Sequence, residues 1–123
     1  MNPLFFCVSL SMIGASPITD ANEALSRGDY ETAIREYRRI LEGEPKSYEG
    51  RFGLARALYY TGEHGEAVKV CSSILQDTPS DADTHLLRGR ALAAQGSYED
   101  AEKDLLFVTE NYPKYGDAWS ALG

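Results

Sequence analysis

The sequence predicts an all-α chain built as a solenoid of repeated helix pairs. Three observations predict it. Gly28, Gly62 and Gly96 recur every 34 residues; so do Ala33, Ala67 and Ala101, and so do Pro45, Pro79 and Pro113. Between them the segments GDYETAI, GEHGEAV and GSYEDAE align without a gap. Three residue types held in one register over three units define a repeat of helix–turn–helix size.

The opening stretch, Met1 to Ala15, stands apart from the repeats. It is apolar and carries no charged side chain. It is too short for a transmembrane helix, which needs roughly 20 apolar residues. It resembles the apolar region of a secretory signal, with small residues at Gly14-Ala15-Ser16 where a cleavage would fall. No Lys or Arg precedes Leu4, and Phe5-Phe6 precede Cys7 where a lipoprotein signal needs small residues. The expectation is export, to the periplasm or in association with the outer membrane. The alternative is an apolar element packed on the first repeat of a cytoplasmic chain.

Residues 16–123 form the repeat domain, in units of about 14–47, 48–81 and 82–115 with a partial unit at 116–123. Helices are expected over 17–27, 30–42, 48–61, 64–76, 82–95 and 98–111, and from 117 onward. The recurring glycines end the first helix of each pair, because a residue without Cβ turns the chain at positive φ. Asp29, Glu63 and Ser97 follow at the entrance of the second helix, as caps or as negative charge against the dipole. The recurring alanines are small where two helices cross. Ile34, Tyr37, Ile40 and Leu41 form one apolar face; Val68, Cys71, Ile74 and Leu75 repeat it, and Leu105 and Val108 continue it. The recurring prolines stop the second helices. Cys71 on such a face is read as a small buried apolar side chain.

The tail Asp117-Ala118-Trp119-Ser120-Ala121-Leu122-Gly123 begins another copy, and Trp119, Leu122 and Gly123 match a W-x-x-L-G start. With the period of 34, this resembles the tetratricopeptide-repeat (TPR) family over Gly14 to Gly123. The resemblance implies a right-handed α-α superhelix whose concave surface is lined by the first helices. It departs from the family pattern in places. Pro17 and Asp20 stand where large residues open a repeat, so the first helix is expected to start late or irregularly. His64 replaces Tyr30 and Tyr98, and Arg88 replaces Leu54 and Leu122. The chain stops within a unit and lacks a polar cap. The expectation is a piece of a longer protein, or an open end covered by another copy.

Charge and chemistry narrow the function. The chain has 12 Lys+Arg against 19 Asp+Glu, a net charge of -7. That argues against nucleic acid, which is gripped by a basic face. His64 and His85 lie in different units without metal-ligand spacing, and the glycines fall at helix ends rather than in a phosphate loop. No catalytic residue, metal or cofactor is expected, and the chain is read as no enzyme.

What remains is shape. The family resemblance and helical spacing place Ile18, Asn22 and Leu25 in the groove, then Glu49, Phe52, Arg56 and Tyr59, then Asp83, Leu86, Leu87, Arg90 and Ala93. The binding surface is expected at Asn22, Phe52, Arg56, Tyr59, Leu87 and Arg90. Phe52, Arg56 and Tyr59 share a helix face. Asn22, Arg56 and Arg90 form a row one repeat apart, and aromatic–arginine mixtures are typical of interface hot spots. The bland alternative is that Glu49 and Asp83 neutralise the arginines. The partner expected is a protein or peptide segment, with a bacterial envelope adaptor suggested by likeness to exported repeats.

Some TPR domains hold the acidic tails of chaperones in a carboxylate clamp. The corresponding positions here are Ile18, Asn22, Gly53, Asp83 and Leu87, of which only Asn22 fits, so no such clamp is expected. The rival reading is a structural spacer, self-associating through the face around Trp119 and Leu122 or joined to a further domain.

Overall fold

The computed structural model describes residues 17–114. Six helices follow one another: α1 (Pro17–Arg27), α2 (Tyr30–Gly43), α3 (Tyr48–Tyr60), α4 (His64–Asp77), α5 (Ala82–Ala94) and α6 (Tyr98–Asn111). No strand occurs among the described residues. Each helix packs on the next, and the first helices also touch one another, α1 on α3 and α3 on α5. This is a helical solenoid of three stacked pairs. Trp119, Leu122 and the helix expected from 117 lie outside the described residues, as does Met1–Ala15 with Cys7.

The repeat residues do the work their types suggest. Gly28, Gly62 and Gly96 have φ of 82°, 88° and 88°. Each turn also closes a backbone bond across the helix end: Asp29 N–H donates to Ala24 O, Glu63 to Leu58 O and Ser97 to Leu92 O. This left-handed glycine with its long return bond satisfies carbonyls that a helix end leaves open. Ala33 and Ala67 are fully buried and Ala101 nearly so, as close helix crossings demand.

The second helices start in two ways. Asp29 caps α2, accepting from Thr32 N–H at 3.4 Å. Glu63 and Ser97, expected as caps or as negative charge against the dipole, make no side-chain cap bond; there the negative charge of Glu66, Glu99 and Asp100 in the first turns supports the dipole. The better side-chain caps open the first helices instead. Ser47 accepts from Gly50 N–H at 3.0 Å and Asp81 from Thr84 N–H at 3.1 Å. The first helix of the first pair, α1, is described from Pro17, whose missing N–H costs nothing in a first turn.

The core is a chain of clusters along the solenoid rather than one centre. Ala21, Ala24, Ala33, Tyr37, Leu54, Ala57 and Leu58 fill the first interface and extend to Ala67 and Ala91. Ala55, Cys71 and Leu87 fill the second, and Leu86, Leu105 and Val108 the third. Cys71 is a free thiol with no exposed surface, and burial pushes it up to about 12. It is an apolar packing residue and not a nucleophile.

Candidate peptide-binding groove

The first helices α1, α3 and α5 bring the row Asn22, Arg56 and Arg90 to one surface. Two adjoining hollows meet there. One is lined by Asn22, Leu25, Ser26, Tyr30, Arg56 and Tyr60, with a volume of about 420 Å³. The other is lined by Phe52, Arg56, Tyr60, Asp83, Leu86, Leu87 and Arg90, with about 400 Å³. Arg56 and Tyr60 border both, so the hollows form one continuous groove. Of the residues expected at the binding surface, Asn22, Phe52, Arg56, Leu87 and Arg90 line it.

Tyr59 does not line either hollow. It is half-buried and packs against two of the core clusters. Tyr60 takes its place on the groove and is 50% exposed. The reason lies in the neighbouring helices. Position 59 packs toward α4, where its ring lies 5.3 Å from that of His64. Tyr60 stacks on Tyr30 at 5.3 Å and meets Tyr59 edge-on at 5.6 Å. The result is a stacked pair of rings, Tyr30 and Tyr60, on one wall of the groove. The aromatic doublet Tyr59-Tyr60 was visible in the sequence; which ring faced out depended on the neighbouring unit.

Among the described residues, no ion pair engages Arg56 or Arg90. The solvated side of α2 is the opposite case. There Arg38 pairs with Glu66 at 3.0 Å, and Arg39 with Glu36 at 3.4 Å.

Asn22 is oriented from behind. Tyr37 on α2 is fully buried, and its hydroxyl donates to Asn22 Oδ1. The ring reaches through because residue 53 is glycine. A Cβ there would lie 2.2 Å from Tyr37 Cζ, well inside contact distance. Gly53 thus links the packing of α2 on α3 to the pose of a groove residue on α1. With Oδ1 occupied, the free edge of the Asn22 amide is its N–H₂ donor.

Two further sites lie outside the groove, and both bury polar side chains. Arg51, only 7% exposed, bonds the Lys46 and Ser73 carbonyls at 2.9 and 3.0 Å and the Asp77 carboxylate at 2.9 Å. The Arg51 hydrogen bond holds the Asp77 carboxyl below its ordinary range. One unit later, at the same place, His85 lies 2.7 Å by Nε2 from the Pro79 carbonyl and 3.0 Å by Nδ1 from Asp104. Arg88 clasps Asp104 with two bonds of 2.7 Å and reaches Ser72 Oγ at 3.1 Å. The Asp104 bonds raise the Arg88 pKa further. These networks tie each second helix to the loop before its partner. Every polar atom in them is matched by protein, and no reacting geometry results. Among the described residues, no group of three or more His, Cys, Asp or Glu could hold a metal ion. Nor is any described helix long and apolar enough to cross a membrane.

Comparison with known proteins agrees with this geometry. The family described as "Tetratricopeptide repeat" matches residues 19–82 and 86–123. A tetratricopeptide repeat and J domain-containing co-chaperone, DNJ1 of Cryptococcus neoformans var. grubii, is 28% identical over 109 residues. That match covers 83% of this chain but 21% of the relative, so the chain spans about a fifth of that protein's length. Among solved structures, the first TPR of Spaghetti (RPAP3), bound to the HSP90 peptide SRMEEVD, superposes with a TM-score of 0.82 at 24% identity. The match covers 86% of this chain and 84% of that one. YrrB, a TPR protein with an unusual peptide-binding site, has a TM-score of 0.81 at 20% identity, over 85% of this chain and 54% of that one. An O-GlcNAc transferase mutant from Thermobaculum terrenum has a TM-score of 0.80 at 27% identity, over 86% of this chain and 20% of that one. The 34-residue register, the three stacked helix pairs and the match across most of the sequence lead to one statement: this chain belongs to the tetratricopeptide repeat family.

Proposed function

We propose that the chain is a protein-interaction module that binds a segment of a partner protein in the groove of α1, α3 and α5. The observation that carries this is the groove's make-up. Exposed Tyr60, half-buried Phe52 and two arginines that no ion pair engages among the described residues share one open surface. Aromatic and arginine side chains together are the residues that anchor interfaces. Two structural neighbours, by their descriptions, bind peptides on the same fold. Nothing in the polar networks offers a nucleophile or a base with a free site, so binding, not catalysis, is the reading.

The mode of binding differs from a carboxylate clamp. Of the five clamp positions, Gly53 is filled by the Tyr37 ring, Leu87 is packed on Cys71, and Asp83 is acidic. The bacterial envelope setting expected from the sequence rests on the apolar opening segment and a generic likeness to exported repeats; no relative above supports it. The self-association reading rests on Trp119 and Leu122, which lie outside the described residues.

The test is a pull-down with the full chain, wild type against Phe52→Ala/Tyr60→Ala, read by mass spectrometry, with thermal melts as the folding control. A partner captured by the wild type and lost by a folded variant supports the groove. Equal capture by both overturns it.

A further inference from the structure

The groove's polar row carries information about what lies in it. Asn22, Arg56 and Arg90 occupy equivalent places on α1, α3 and α5 and border the two joined hollows. The row is rich in donors: a guanidinium has no acceptor, and the Asn22 carbonyl oxygen already accepts from the Tyr37 hydroxyl, beside which its N–H₂ adds donors. The chain as a whole is acidic, at -7, yet these cations are left without a carboxylate within ion-pair distance among the described residues. The acid in the second hollow, Asp83, sits in the first turn of α5. Arg90 lies seven residues on, two turns and about 10 Å along the same face. Phe52 and Tyr60 lie beside the arginines and supply apolar surface.

We propose that the groove takes an acidic–apolar peptide segment, whose carboxylates meet Arg56 and Arg90 while an apolar side chain between them packs on Phe52 and Tyr60. This rests on the binding reading above and names its partner class. The spacing follows from helix packing. Helices α3 and α5 are in direct contact, and helices in contact lie about 8–10 Å apart. An extended chain advances about 3.3 Å per residue. Carboxylates two or three residues apart therefore reach both arginines, and Asn22 supplies a further donor at the α1 end. Guanidinium–carboxylate bonds at a partly dewetted surface are stronger than neutral ones, so charge sets the preference and the rings set the base affinity.

The test uses three fluorescent peptides that share their leucines and differ only in carrying Glu, Gln or Lys at two positions flanking a leucine. Binding to the full chain is measured by anisotropy at low and at moderate salt. The Glu peptide is expected to bind about tenfold tighter than the Gln peptide, with the gap narrowing as salt rises. Arg56→Glu/Arg90→Glu is expected to reverse the order in favour of Lys. If that variant fails to fold, Arg56→Gln/Arg90→Gln is expected to abolish the preference. Equal affinity for Glu and Gln peptides, or a preference that survives these substitutions, overturns the proposal. If no peptide binds while the pull-down still loses its partner with Phe52→Ala/Tyr60→Ala, the acidic class is wrong and the groove stands. If neither assay depends on the groove, both readings fall.

Discussion

Asp104 is the residue on which the third unit is most exposed to failure. Its carboxylate is 4% exposed, clasped by Arg88 and beside His85 Nδ1. A charge so placed stabilises only while its partners stay, because removing one leaves the other uncompensated. Asp104→Asn should therefore cost about 3 kcal/mol of unfolding free energy by urea titration. A loss under about 0.5 kcal/mol would mean water already screens the site. The repeat itself shows the alternative solution. One unit earlier the same two places hold Leu54 and Val70. Arg88→Leu/Asp104→Val should thus recover most of the loss, since an apolar pair of similar volume replaces a buried ion pair at little cost.

At the scale of the element, the packing of each second helix on the next first helix is a matter of volume. Tyr37 on α2 meets Gly53 on α3. One unit on, the equivalent pair is Cys71 on α4 with Leu87 on α5, and these two share a cluster. Large against small has become small against large. Gly53→Ala should then destabilise by about 1–3 kcal/mol, because its Cβ would meet the Tyr37 ring. The same change with Tyr37→Leu should be neutral or better, since alanine is about 1 kcal/mol more favourable than glycine inside a helix. Thermal or urea melts of the two variants decide it, and an unchanged Gly53→Ala protein would show that α2 and α3 are loosely docked. The swap also explains what the sequence made legible and what it did not. Helix ends followed from Gly28, Gly62, Gly96 and the three prolines, because turning and stopping a chain are local acts. Asn22, Phe52, Arg56, Leu87 and Arg90 reached the groove because helical phase is local too. Tyr60 was missed, as were Arg51, Asp104 and the role of Gly53, because each answers to a side chain in another helix. Their only signal was a broken rule: Arg88 where leucine recurs, and Arg51 and His85 34 residues apart where the partial fourth unit has Trp119.

The whole molecule inherits its behaviour from nearest-neighbour contact. Helices touch the next in sequence, and first helices touch first helices; no described contact joins the first pair to the third except through the second. Stability in such a stack is close to a sum of unit and interface terms, so damage stays near its source. Asp104→Asn should raise amide exchange chiefly in α5 and α6, with α1 and α2 nearly as protected as in the wild type, when native-state hydrogen exchange is read helix by helix. Equal loss of protection in all six helices would instead show one cooperative unit. The local outcome has a functional consequence. Arg56 rides on α3 and Arg90 on α5, so loosening the third pair frees one end of the cationic row while leaving the other in place. The same variant should therefore weaken the Glu peptide toward the affinity of the Gln peptide, without touching any residue that lines the groove. An unchanged preference would show that Arg56 and the Asn22 end suffice to read the partner's charge.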